Sequence, residues 1–82
     1  MITGQQIRAA RNALRWSVDD LANSAGIASK TVRRIEANDG MPDSKLKTIS
    51  QIKSSLETAG IEFIGTPEDG PGIRIRPVAS KS

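Results

Sequence analysis

The sequence predicts a small, mainly α-helical domain of four helices, followed by a two-stranded β-hairpin. Apolar residues recur at helical spacing through residues 1–60, and helix-capping sequences stand in front of these runs. From residue 61 onward apolar and polar residues alternate, which is typical of strands. We expect one compact unit, because a chain of 82 residues buries only about 60% of its unfolded surface.

The first helix is predicted to begin after Thr3 and to end at about Leu14. In "MITGQQI", Thr3 and Gln6 have the spacing of a capping box, in which each side chain bonds the backbone N–H of the other residue. Ile7 begins the apolar face. The remaining faces carry three arginines: Arg8, Arg11 and Arg15.

The second helix is predicted over Val18 to about Ala25, within "RWSVDDLANSAG". Ser17 and Asp20 form another capping box, and the acidic first turn complements the positive end of the helix dipole. Gly26 follows the last turn, where a left-handed residue is needed and glycine adopts that conformation without steric strain.

The third helix is predicted from about Ser29 to Ala37, after a turn of only three residues, 26–28. A loop rich in Asn, Asp, Gly and Pro ends it. The fourth helix is predicted to begin at Asp43 or Ser44 and to stop at Gly60. Its apolar stripe consists of four residues at helical spacing: Leu46, Ile49, Ile52 and Leu56.

Two alternating segments near the C-terminus predict the strands of the hairpin. "IEFI" covers residues 61–64 and "IRIRPV" covers residues 73–78, with "GTPEDGPG" between them as a long loop. Residues 61–78 are therefore predicted as a C-terminal hairpin that follows the helical domain of residues 1–60. The tail, residues 79–82, is expected to be disordered.

The composition argues against several classes of function. The sequence has neither Cys nor His, so it lacks disulfides, thiolate or imidazole metal ligands, and the usual Ser/His and Cys/His nucleophile pairs. No apolar run is long enough to span a bilayer or to form a signal-peptide core. We therefore expect a cytoplasmic protein that is not an enzyme, contacts no membrane, and uses no metal or other cofactor.

The excess positive charge lies in the helical part. Residues 1–60 carry nine Lys or Arg and six Asp or Glu, whereas residues 61–82 carry three of each. A basic domain is consistent with a polyanionic partner. Trp16 and Phe63 are the only aromatic residues of the sequence, so the chain lacks the stacking side chains typical of proteins that bind RNA or single-stranded DNA. Duplex DNA is the favoured polyanion.

The second and third helices, joined by a tight glycine turn, have the pattern of a helix-turn-helix. The close approach of the two helices requires a small residue, here Ala22, and a residue tolerant of positive φ, here Gly26. Their packing requires apolar residues at fixed positions, and all five comply: Leu21, Ala25, Ile27, Val32 and Ile35. The complete spacing is far more specific than a lone glycine.

The segment "LRWSVDDLANSAGIASKTVRRIEAND" resembles the helix-turn-helix of the Cro-like, XRE-type transcriptional regulators, the family that includes the small phage repressors. The resemblance extends from residue 3 to about residue 60. It implies a lambda-repressor-like fold, a bacterial or phage origin, and association with the nucleoid through sequence-specific binding of double-stranded DNA. A repressor is expected, because the chain has no room for an activating or ligand-sensing domain.

The resemblance also implies roles for the residues of the third helix, which lies in the major groove in this family. The base-reading residues would be Ser29, Lys30 and Arg34. Thr31 and Arg33 would lie on the flanks, nearer the DNA backbone.

The residues of the third helix support the same division. Val32 and Ile35, at positions i and i+3, face the core, so the basic residues between and around them lie on other faces. Arg and Lys can donate to guanine O6 and N7, which predicts a guanine-containing site. The alternative is a basic surface that is only solvated.

Phosphate contacts are expected at helix ends. The family uses the backbone N–H groups at the start of the second helix, here Ser17 and Val18, although it often has a longer polar side chain where this chain has Val18. Lys45 is the favoured cation for a phosphate. Further candidates, each also explicable as a solvated surface residue, are Lys47, Arg8 and Arg15. The family's paired Arg and Glu correspond to Arg11 and Glu36, a structural ion pair.

The hairpin is expected to mediate dimerisation. A lone two-stranded ribbon is marginal in water, and its open edge favours pairing with another chain. The candidate interface residues are four apolar side chains: Ile61, Phe63, Ile73 and Ile75. The alternative is that they cover the fourth helix within one monomer. A homodimer would bind a palindromic operator.

The competing hypothesis for function is an antitoxin-like module that binds a toxin or another protein. In that hypothesis, binding to DNA is secondary.

Overall fold

The computed structural model describes residues 2–76, and in that range the chain forms four α-helices followed by an antiparallel β-hairpin. The predicted fold class is confirmed. The elements are α1 (Gly4–Ala13), α2 (Val18–Ala25), α3 (Ser29–Glu36), α4 (Leu46–Thr58), β1 (Ile61–Thr66) and β2 (Asp69–Ile75). Among the described residues, no helix is both long enough and apolar enough to cross a membrane. The predicted tail, residues 79–82, and the predicted end of the second strand, residues 77–78, lie outside this range.

Both predicted capping boxes are present, and they explain where α1 and α2 begin. Gln6 N–H donates to Thr3 Oγ1 at 3.1 Å, and Thr3 N–H donates to Gln6 Oε1 at 2.8 Å. Ser17 and Asp20 make the same reciprocal pair at 3.0 and 2.8 Å. Each box satisfies backbone N–H groups that would otherwise have no partner in the first helical turn.

The start of α4 differs from the prediction. Neither Asp43 nor Ser44 caps it; the N-cap is Lys45, whose backbone is extended and whose side chain makes no cap hydrogen bond. The hydroxyl of Ser44 instead accepts a hydrogen bond from Arg34 Nη2 at 2.9 Å. Leu46 was predicted to belong to the buried apolar stripe of this helix. This was wrong, because Leu46 is the first residue of α4 and is exposed.

The core lies between the four helices and the first strand. Its members are apolar side chains from every helix and from β1: Ile2, Ile7, Ala10, Leu21, Ala22, Ala25, Val32, Ile35, Ile49, Ile52, Leu56 and Ile61. β1 packs against α4, and β2 packs against α1. The hairpin therefore shares one core with the helices.

The hairpin has a two-residue turn at Pro67 and Glu68, so the predicted long loop was wrong. The strands pair from Ile61 with Ile75 to Thr66 with Asp69, and the register shifts by a bulge after Ile64. Pro67 lies in the turn, and the glycines and Pro71, which predicted a longer loop, belong to this irregular stretch of strand. Sequence rules cannot separate the two cases, because turns and bulges favour the same residues.

A buried glutamine attaches the hairpin to α1. Gln6 Nε2 donates to the carbonyl oxygens of Ile64 at 3.2 Å and Gly72 at 2.9 Å, beside the bulge. Its Oε1 accepts the capping hydrogen bond from the N–H of Thr3. The side chain of Gln6 is 4% exposed, and both the oxygen and the nitrogen of its amide are therefore hydrogen-bonded. The sequence predicted the cap and missed the contact with the hairpin.

Gly4→Ala is expected to lower the free energy of unfolding by about 1–3 kcal/mol through overpacking. A Cβ on Gly4 would lie 1.9 Å from the carbonyl oxygen of Asn38 and 2.4 Å from that of Ile35, and backbone atoms cannot rotate away. Urea denaturation measures the change. Gly40→Ala is the matched control, because its Cβ would have one neighbour, at 3.6 Å. Equal stability of the two variants would contradict the prediction.

Candidate nucleic-acid interface

α2 and α3 form a helix-turn-helix with a three-residue turn. Gly26 ends α2 in the left-handed conformation, with φ 72° and ψ 36°, and Ile27 N–H donates to the carbonyl oxygen of Ala22 at 3.0 Å. Only glycine adopts this conformation without cost, which allows α3 to turn back against α2 after three residues. The side chains between the two helices are buried in the core: Leu21, Ala22, Ala25, Val32 and Ile35.

α3 divides into a buried face and a basic face. Val32, Ile35 and Glu36 are buried, and the exposed residues are all cationic: Lys30, Arg33 and Arg34. Ser29 and Thr31 are half-buried at the two flanks. The structure thus brings Lys30 and Arg34 to one exposed surface, while Ser29 lies beside α2.

An acidic residue of α2 contacts the Ser29 flank. Ser29 Oγ donates a hydrogen bond to Asp19 Oδ1, and Arg33 Nη2 lies 3.9 Å from the same oxygen. The sequence interpretation assigned Asp19 only to the helix dipole. Because Asp19 and Ser29 are ten residues apart, only the packing of α2 on α3 brings them together.

An open cleft of about 600 Å³ separates α3 from the start of α4. Its lining contains both cations and hydroxyls: Thr31, Arg34, Asp43, Ser44, Lys45 and Thr48. Arg34 and Lys45 therefore both line the cleft, and Asp43 adds one negative charge to its lining. Lys47 lines a different groove, between α2 and α4, and so is not part of this surface.

The start of α2 offers less to a phosphate than the resemblance implied. The N–H of Ser17 already donates to Asp20 Oδ2, and the Val18 side chain packs against the core. Asp19 and Asp20 place two carboxylates in the first turn. The Ser17 hydroxyl and the backbone N–H groups of Val18 and Asp19 remain as the groups that could contact a phosphate there.

Arg11 and Glu36 form a bidentate ion pair between α1 and α3. Arg11 Nε lies 2.8 Å from Glu36 Oε2, and Nη2 lies 2.9 Å from Oε1. Arg11 Nη1 also donates to the carbonyl oxygen of Trp16 at 2.8 Å. The side chains are 15% and 7% exposed, and the hydrogen bonds to Glu36 raise the pKa of Arg11 despite its partial desolvation.

Arg8 likewise serves the structure. Its Nη1 donates to the carbonyl oxygen of Glu36 and its Nη2 to Asp39 Oδ1, both at 2.6 Å. These bonds hold the end of α3 against α1, so Arg8 is a weaker candidate for a phosphate contact than an exposed cation. Arg15 is exposed just after α1.

The structure narrows the candidate dimer interface. Ile61 is 2% exposed in the core, and Phe63 and Ile73 pack against that core, whereas Ile75 is 61% exposed. Ile61 therefore has almost no exposed surface to offer a second copy. The packing of β1 against α4 agrees with the alternative, in which these residues cover α4 within one monomer.

The outward face of the hairpin is charged. Glu62 pairs with Arg74 at 3.2 Å and with Arg76 at 2.8 Å. The hydrogen bond from Arg76 is the main cause that lowers the pKa of Glu62. Ile75 pairs directly with Ile61, so its side chain lies on the opposite face of the hairpin from these ion pairs.

No protein-family model matches this sequence, and no curated protein is similar to it. The interpretation of function therefore depends on the geometry of α2 and α3 and on the charges that they carry. Those charges are three cations on the exposed face of α3, with Lys45 across the cleft.

Proposed function

We propose that this protein is a sequence-specific transcriptional regulator that inserts α3 into the major groove of double-stranded DNA. The observation that carries the proposal is the division of α3, which buries Val32, Ile35 and Glu36 and exposes only cations. An α-helix with its side chains is about 10–12 Å in diameter, and the major groove is about 12 Å wide. A helix of this size, supported on one side by α2, fits the groove.

The exposed cations divide between base and backbone contacts. Lys30 and Arg34 lie farthest from the buried face of α3, so they are the residues that would reach guanine O6 and N7. In the free protein Arg34 donates one hydrogen bond to Ser44, and the other N–H donors of its guanidinium remain for DNA. Lys45 and Thr31, at the cleft beside it, would contact phosphates.

Two copies on a palindromic operator are part of the proposal. One module of this size covers only about 600 to 1,000 Å² of DNA-facing surface, so a two-fold pair gains the affinity that one copy lacks. Exposed Ile75 at the end of the hairpin supplies an apolar contact for the second copy. Repression would follow from occupancy of the operator.

Selection from a random duplex library tests the function. We expect a palindromic motif, and an affinity whose logarithm falls linearly with the logarithm of salt concentration. Sedimentation with and without the selected duplex tests the proposed dimer. A protein that remains monomeric on DNA would exclude dimerisation. A folded protein with no salt-dependent duplex binding would overturn the proposal and favour a protein-binding, antitoxin-like module.

Arg34→Ala and Lys45→Ala are expected to have different effects on binding. Loss of Arg34 should relax the preference at one base position by about 1–3 kcal/mol, because it removes donors to a base edge. Loss of Lys45 should weaken all sequences alike and reduce the salt slope by about one, because a phosphate contact is sequence-independent. Anisotropy titrations with single-substitution duplexes measure both quantities. An identical pattern for the two variants would contradict this assignment of roles.

A further inference from the structure

The flank of α3 that lies beside α2 differs in chemistry from its basic face. There the Ser29 hydroxyl donates its hydrogen bond to Asp19 Oδ1. Lys30 and Arg34, on the outer face, have only donors, whereas a carboxylate at neutral pH has only acceptors. The proposed recognition surface therefore has a donor region and an acceptor region.

The bond to Asp19 fixes how Ser29 can read a base. A serine hydroxyl has a single proton and two lone pairs, so it ordinarily pairs with either a donor or an acceptor. Here the proton is directed to Asp19 Oδ1, which leaves the lone pairs of Ser29 Oγ for DNA. In the major groove, the hydrogen-bond donors are the exocyclic amino groups, cytosine N4 and adenine N6.

We infer, given the proposed binding of duplex DNA, that Asp19 is a specificity-determining residue that makes Ser29 select cytosine or adenine. On the strand that Ser29 contacts, guanine O6 and thymine O4 are disfavoured at that position, because each would place an acceptor against lone pairs. Arg33 supports the arrangement, since its guanidinium lies 3.9 Å from Asp19 Oδ1. It offsets the negative charge that Asp19 brings close to the phosphates.

The test combines Asp19→Ala with a matched control, Asp43→Ala. Both changes remove one exposed carboxylate, but Asp43 lies on the other side of α3, in the cleft with Arg34. Both variants should bind every duplex more tightly, by a factor that shrinks as salt rises. Only Asp19→Ala should reduce the preference for cytosine or adenine on one strand at one position, measured by reversing that base pair, by about three- to tenfold, as for one hydrogen bond.

Ser29→Ala gives a second measurement on the same position. It should reduce the same preference as Asp19→Ala, and the double variant should lose no more than either single variant, because the two residues act as a unit. Thermal unfolding confirms that each variant is folded before its preferences are compared.

The outcomes separate the inference from the proposed function. If the wild-type protein selects a motif and Asp19→Ala retains every base preference, the inference is overturned and the DNA-binding function stands. Binding that is unchanged when the base pair that Ser29→Ala affects is reversed, C·G to G·C or A·T to T·A, would also overturn it. If the wild-type protein shows no salt-dependent duplex binding, the proposed function itself fails.

Discussion

Glu36→Ala is expected to lower the free energy of unfolding by about 3–5 kcal/mol, because it leaves the largely buried charge of Arg11 without its carboxylate partner; only the carbonyl oxygen of Trp16 still accepts a hydrogen bond from it. A domain of this kind is stable by only about 5 to 15 kcal/mol, so the loss should lower Tm by roughly 15 °C or more. Thermal and urea unfolding, followed by circular dichroism, measure it.

Two further variants test the reason for this loss. Glu57→Ala breaks the exposed pair with Lys53, at 3.7 Å, and should cost less than about 0.5 kcal/mol. Combining Arg11→Met with Glu36→Leu should recover most of the stability, because apolar side chains remove the unpaired buried charge. A loss under about 1 kcal/mol for Glu36→Ala would show that the pair is solvated and not structural.

The pair acts on folding, so the base preference that the proposed function implies should survive in the fraction that folds. Because Glu36 raises the pKa of Arg11, the contribution of Arg11 is complete below its ordinary pKa and is lost only above it. The guanidinium therefore remains protonated throughout the neutral range in which DNA binding is measured.

Local signals predicted the helices well, and tertiary contacts explain the errors. The capping boxes at Thr3 and Ser17 act within four residues, so the sequence alone locates the starts of α1 and α2. Ser44 has an equally good capping side chain, but Arg34 binds it from another helix. No local sequence pattern shows that Arg34 competes for the Ser44 hydroxyl. For this reason the prediction missed that α4 begins later.

The same distinction applies to the candidate site. The spacing of Val32 and Ile35 is sufficient to predict that Lys30 and Arg34 are exposed, because one buried helical face determines the others. The contact between Asp19 and Ser29 depends on how α2 and α3 cross. Two acidic residues in the first turn of α2 were the available signal, since one suffices for the capping box.

Gln6→Glu is the sharpest test of the link between α1 and the hairpin. By the capping-box rule alone the change is neutral, because Glu is as good a partner for the N-cap as Gln. Gln6, however, also donates from Nε2 to the carbonyl oxygens of Ile64 and Gly72. A carboxylate cannot donate, so it would oppose two carbonyl oxygens in a buried place, and we expect a loss of about 3 kcal/mol or more.

The pH dependence of Gln6→Glu follows from the same contacts. Burial and the facing carbonyl oxygens favour the protonated form, so they raise the pKa of the new carboxyl in the folded state. The folded state then binds more protons than the unfolded state, and the variant should regain stability as pH falls from about 7 to about 4. Gln5→Glu is the matched control: Gln5 is exposed in the first turn of α1, where negative charge is neutral or slightly stabilising. If urea denaturation gives both variants the same stability at both pH values, Gln6 does not hold the hairpin to α1.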